Sequence, residues 1–284
     1  MELTSTTGRA KPIVARKPRF PFSEVPRHWF GGSPVATHLA NGLNLLFPLG
    51  ERLFVRSVRK HLPTIKQDPE LEARVRGFIA QEVRHGMEHE RFFEIMEAQG
   101  LEIKPFLAWY EHVAFGVLEK LGTRVHPDLD LAVTVALEHF TAMFAQRALD
   151  KDMLAELAHP VMRDLLLWHA CEEIEHKSVA FDVLARVNPS YALRIAGLGV
   201  ASISLVAFWM AGTRMLLRQE PLRGGKIVRE VLATREGNTL LNGAFASFFV
   251  DYLRRDFHPS QHANEHLAEA WLAANGARII REAA

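Results

Sequence analysis

The stretch Trp168-His169-Ala170-Cys171-Glu172-Glu173-Ile174-Glu175-His176 carries three side chains able to bind a transition metal. Glu173 and His176 stand three apart, and His169 stands four before Glu173, so on a helix all three share one face. One anionic oxygen and two neutral nitrogens suit iron, manganese or zinc. A single Glu-x-x-His occurs often by chance in charged helices, but here it is repeated. Gln81-Glu82-Val83-Arg84-His85 contains Glu82 and His85, and His89 follows four residues on. Each copy also has an upstream glutamate in an apolar setting, Glu51 for the first and Glu138 for the second. The upstream spacings, roughly 30 to 35 residues, fit antiparallel helix pairs whose glutamates meet at one level, as in dinuclear carboxylate bundles.

In this arrangement Glu51 and Glu138 are terminal ligands, Glu82 and Glu173 bridge, and His85 and His176 give one nitrogen to each metal. Four carboxylates offset the charge of two divalent ions. His169 adds a seventh ligand and makes the metal of His176 the more nitrogen-rich. His89 either does the same on the other side or orients a ligand from behind. Glu172 and Gln81, each preceding a motif glutamate, are acceptors for a histidine. The oxygen-rich shell points to two iron ions that react with dioxygen, with manganese or zinc as the alternative.

The elements that must hold these residues are helices. Pro34 opens a first helix that Pro48 breaks or kinks before it resumes through Glu51 to His61. Asp68-Pro69 caps a second helix running to a stop at Gly100. Its inner face carries Leu71, Val75, Phe78, Glu82, His85, His89 and Phe92, an apolar stripe with polar residues inside it. Buried carboxylates and imidazoles need partners, and metal ions supply them. Further helices are expected at 104–122, with Glu111 and His112 on the surface, at 129–149, at 151–158 and at 161–187. Ile195 to Thr213 is an uncharged run bracketed by Arg194 and Arg214, expected to be a buried or membrane-dipping helix. Helices at 237–254 and from 263 follow. Period-two alternation is missing throughout, so the class is all-α.

The chain divides into an arm at 1–33, anchored by Phe20, Phe22, Trp29 and Phe30, a bundle at 34–190 and a C-terminal helical extension at 191–284. Net charge is +1, which leaves no electrostatic footprint for nucleic acid. The one cysteine, Cys171, excludes an internal disulfide and a Cys-rich zinc site. Its apolar neighbours place it in the core. No secretory signal is visible, so the expected location is cytoplasmic, with contact at the inner membrane face as an option. The apolar run otherwise serves a homodimer.

Phe47-Pro48-Leu49-Gly50-Glu51, Gln81 to His89, Glu172 to Asp182 and Asp256-Phe257-His258-Pro259 resemble the bacterial family of predicted metal-dependent hydrolases over most of the chain after residue 30. The ligand pattern also resembles the ferritin-like di-iron carboxylate superfamily. His169 is similar in placement to the extra histidine of the p-aminobenzoate N-oxygenase group, whose usual Asp before Glu-x-x-His is here Gln81 and Glu172. These resemblances imply a ferritin-like four-helix bundle with additional C-terminal helices. They also imply a di-iron enzyme that uses dioxygen to oxidise a small or lipid-like substrate. The alternatives are metal-dependent hydrolysis by a metal-bridging water and a non-enzymatic iron-binding bundle.

Overall fold

The structure, a computed structural model, describes residues 12–150, 154, 158–221, 224–225 and 244–279. Among them the regular elements are helical, and the extended pairing is one isolated bridge between Phe30 and Ala158. The all-α bundle expected from periodicity is the fold observed.

Helix α1 spans Pro34–Asn44, and the Ser33 hydroxyl accepts the Ala36 N–H at its start. Helix α2, Phe47–Arg59, begins after a two-residue break. The break precedes Pro48, which sits at the second helical position, where its missing N–H costs nothing. Helix α3 is the short Leu62–Ile65. Helix α4, Pro69–Ala98, starts where the Asp68 carboxylate accepts the Leu71 N–H at 3.0 Å. It ends at Gly100, whose φ of 83° suits glycine best.

Two expected helices are interrupted. The 104–122 helix is observed as α5, Lys104–Tyr110, a π-helical stretch Glu111–Leu118, and α6, Glu119–Val125. Glu111 and His112 are exposed there, as expected. The 161–187 helix is observed as α8, Pro160–His176, and α9, Val179–Val187. The break falls at Lys177, whose buried ammonium donates to the His262 carbonyl and the Asn264 side chain and pairs with Glu265 at 2.8 Å. A buried ammonium needs such partners, and residues beyond the bundle provide them. Helix α7 is Leu129–Asp150, α10 is Tyr191–Leu217, α11 is Ala244–Leu253 and α12 is Glu265–Ile279. Most of the expected helix at 151–158, and residues 237–243 of the one expected at 237–254, lie outside the described residues.

Helices α2 and α4 pair, α7 and α8 pair, and the two pairs face each other to make the four-helix core. Helix α10 lies outside, running parallel to α7, with Gly197 on Ala132 and Trp209 against Phe144. The approach is close: a Cβ on Gly197 would sit 2.4 Å from the Ala132 carbonyl oxygen, and one on Gly42 of α1 would sit 2.2 Å from the Thr213 hydroxyl. Glycine is required at both crossings. Leu198, Ala201 and Phe208 of α10 are buried, whereas Ile203 is 75% exposed and Val206 57%. The apolar run is therefore covered on one face only. Among the described residues, α10 is the helix long and apolar enough to cross a membrane. The arm anchors Phe20, Phe22 and Trp29 are buried, and the Trp29 indole donates to Asn41 at 2.9 Å.

Candidate metal centre

Helix α2 contributes Glu51, α4 contributes Glu82, His85 and His89, α7 contributes Glu138, and α8 contributes His169, Glu173 and His176. All eight point into the bundle and are at most 5% exposed. His176 Nε2 lies 3.0 Å from Glu82, 3.5 Å from Glu138 and 3.6 Å from Glu173. His85 Nδ1 lies 3.8 Å from Glu82 and 3.7 Å from Glu173. His169 Nε2 lies 2.8 Å from Glu173 and 3.9 Å from Glu51. Two donor groups result, one around Glu51, His85 and His169, the other around Glu138 and His176. Glu82 and Glu173 reach both.

This geometry corrects one expectation. His169 belongs with Glu51 and His85, not with His176. Seven residues along α8 separate His169 from His176, a rise of about 10 Å. Two histidines so far apart face different donor groups, and Glu173 between them reaches toward each.

Behind the donors runs a layer of hydrogen bonds. His85 Nε2 meets Glu172 Oε2 at 3.0 Å, and His176 Nδ1 meets Gln81 Oε1 at 2.8 Å. Glu172 and Gln81 thus serve histidines, as their positions suggested, but each serves the histidine of the other motif copy. Glu172 also accepts from the Trp168 indole at 3.1 Å and from Arg16 at 3.2 Å. Arg16 holds Glu175 with both terminal nitrogens, and the Gln81 amide donates to Glu175 at 2.9 Å. His89 has both nitrogens engaged, one with Asn44 and one with His169 Nδ1 at 2.8 Å, so it orients His169. His85 therefore offers Nδ1 inward and His176 offers Nε2.

Arg16, Asn44 and Trp168 were not foreseen as parts of this layer; a cation in an arm and a polar residue at a helix end carry no local signal. Gly86 was also missed. A Cβ there would lie 3.0 Å from Glu51 Oε2, so glycine leaves room for that carboxylate.

Both oxygens of Glu51, Glu82 and Glu138, one of Glu173, Nδ1 of His85 and Nε2 of His176 are buried with no hydrogen-bond partner. Burial, followed by repulsion from the neighbouring carboxylates, drives the Glu51 carboxyl well above its usual range. Burial and Glu82 do the same to Glu138. Burial holds His85 and His89 well below the usual imidazole value, hence neutral. For Glu173 burial acts upward, but His176 and His169 outweigh it and bring the group well below its usual value. Burial works to lower His176, and Glu173 and Glu138 override it, raising it well above the usual value. A protein interior does not leave so many polar atoms unpaired without a reason. Divalent ions fit: the donors are oxygen-rich with imidazole nitrogens, the set that suits iron, manganese or zinc.

Beside Glu51 lies an apolar cavity of about 140 Å³, open to the surface on one side. It lies between α2, the α5–α6 segment, α7 and α10. A separate His28, His38 and Glu220 cluster also gathers ligand-type atoms, but Arg27 shares the same Glu220 oxygen at 2.9 Å. It clasps the arm to the end of α10. Cys171 is buried as expected, and burial raises its thiol well above the usual value.

Residues 14–263 match the protein family described as "Predicted metal-dependent hydrolase", and the chain belongs to that family. No curated protein and no solved structure matches it.

Proposed function

We infer that this chain is a dinuclear metal enzyme. Glu51, Glu82, His85, His169 and Glu173 would hold one divalent ion, and Glu82, Glu138, Glu173 and His176 the other. The observation that carries the reading is the set of buried oxygens and nitrogens without hydrogen bonds that four helices bring together in two adjoining donor groups. When bound, the ions would supply Lewis acidity and, if they are iron, electrons for dioxygen. The chain's own residues set the frame for that chemistry. Glu172 and Gln81 fix the ring orientation of His85 and His176, and the Asn44–His89 pair fixes His169. The apolar helices keep bulk water from the carboxylates.

Between reactions, the anionic donor set beside an apolar cavity favours dioxygen-dependent oxidation with two iron ions. Hydrolysis is the second reading, and the family description favours it. One experiment separates them. The protein is loaded with ferrous iron without air, mixed with dioxygen in a stopped-flow spectrometer, and compared with the zinc and manganese forms. A transient visible absorbance in the iron form alone supports oxidation. A fully iron-loaded protein inert to dioxygen, with zinc or manganese forms that cleave ester or amide substrates, moves the assignment to hydrolysis. A chain that binds no metal at all overturns both.

A further inference from the structure

The cavity has a direction. Its lining along α7 runs from Leu129 to Phe144, a rise of about 22 Å at 1.5 Å per residue. Among its lining residues Leu118 and Val200 are 46% and 42% exposed, so the mouth lies on the side where the α5–α6 segment meets α10. Toward Phe144 it meets Leu46, Tyr110 and Phe208, all buried. Glu51 reaches it from α2 between Leu46 and Phe54, partway along the length.

The polar groups at the mouth are already engaged. Glu119 pairs with Arg56 at 2.9 Å, and Asp130 pairs with Lys60 at 2.5 Å. Deeper in, the Thr141 hydroxyl donates to the Glu138 carbonyl at 3.0 Å. Glu51 is the one carboxylate at depth. On α6 and α10, which border the cavity, Leu121, Val125 and Ile203 are 50%, 82% and 75% exposed. The π-helical stretch contributes Ala114, Phe115 and Leu118 to the lining. π-helical turns of this kind are frequent at functional sites.

We propose that the cavity binds one long unbranched hydrocarbon chain of the fatty-acyl type, threaded from the α6–α10 mouth past Glu51 to the Phe144 and Phe208 end. An apolar channel of this length, whose polar lining away from the mouth is limited to Glu51, Thr141 and Ser204, suits an extended hydrocarbon better than a polar substrate. It would place an internal segment of the chain, not its terminal methyl, beside Glu51. The chain-binding part stands on the cavity alone; the claim that the internal segment is the reacting one rests on the dinuclear reading.

The test begins with metal-stripped full-length protein. Parinaric acid, a fluorescent fatty acid, is bound and then displaced by saturated fatty acids from octanoate to stearate. Affinity should tighten about four-fold per added methylene until the channel is full, then level off. Val133→Trp, which narrows the entry side, should weaken the long chains at least ten-fold. Phe144→Ala should move the plateau to longer chains, and circular dichroism would verify that both variants fold. In the manganese-loaded protein, paramagnetic broadening of a carbon-13 labelled chain should be strongest at internal carbons. Absence of chain-length dependence, or unchanged binding in Val133→Trp, overturns the proposal whatever the metal content. Strongest broadening at the terminal methyl overturns the threading. Chain binding as described in a protein that takes up no metal would support the channel and refute the dinuclear reading separately. A wild-type dimer that binds no chain would assign the exposed face to a second copy instead.

Discussion

Replacing Gly86 with alanine should separate stability from metal binding. Gly86 lies within α4, where alanine is favoured over glycine by about 1 kcal/mol. That gain should raise the melting temperature of the metal-free protein by about 2–4 °C. The new Cβ would sit 3.0 Å from Glu51 Oε2, where ordinary contacts begin at 3.4 Å. The carboxylate must therefore withdraw by about 0.4 Å, twice the roughly 0.2 Å that metal–ligand distances tolerate. Without metal the withdrawal is easy, because neither Glu51 oxygen has a hydrogen bond to lose. With metal it should weaken the Glu51 position by about ten-fold or more, leaving the Glu138 position close to wild type. Thermal unfolding of the metal-free protein and anaerobic calorimetric titration with ferrous or manganous ion would read the two effects. A variant that melts higher and binds both ions with wild-type affinity would remove Glu51 from the ligand set. A variant that melts lower without metal would refute the packing argument itself.

Glu82→Ala and Glu173→Ala should each lose most bound metal, since both carboxylates reach both donor groups; elemental analysis finding two ions per chain in either variant would end the bridging assignment. His169→Ala should keep both ions and alter the lifetime of any absorbance transient formed with dioxygen, and an identical trace would place His169 outside the site. Glu138→Gln should stabilise the metal-free protein to urea, because it removes a carboxyl that burial and Glu82 push upward; a lower urea midpoint would contradict the repulsion. Glu220→Gln tests the arm clasp by pH. Although burial acts upward, contacts from His38, His28 and Arg27 depress the Glu220 carboxyl to about 2. The stability it adds is then fully present above the unfolded value of about 4.3 and lost as pH falls toward 2. The wild-type advantage over the variant, followed by denaturant melts, should shrink as pH falls from about 4.3 toward 2, where the histidine partners already carry their protons. An advantage that grows as pH falls from about 4.3 toward 2 would refute the clasp.

Local spacing in the sequence was enough to determine that the chain is all-helical and that eight side chains of metal-ligand type face inward. A helix repeats every 3.6 residues whatever lies around it, so Glu82 with His85, and Glu173 with His176, must share a face. Asp68-Pro69 and Gly100 mark the ends of α4 for the same local reason. Contacts between elements were decided by packing. His169 joins Glu51 and His85 because α2 and α4 meet α8 at that level. Glu172 serves His85 and Gln81 serves His176 because two helices face each other, not because of any spacing within one. The π-helical widening, the channel it lines and the half-covered α10 likewise come from how α5–α6 and α10 lie against α7. Arg16 and Glu172 are 156 residues apart in the chain and touch only after folding. Local periodicity is a property of one helix, whereas partner choice depends on the relative placement of several, which only the folded chain defines.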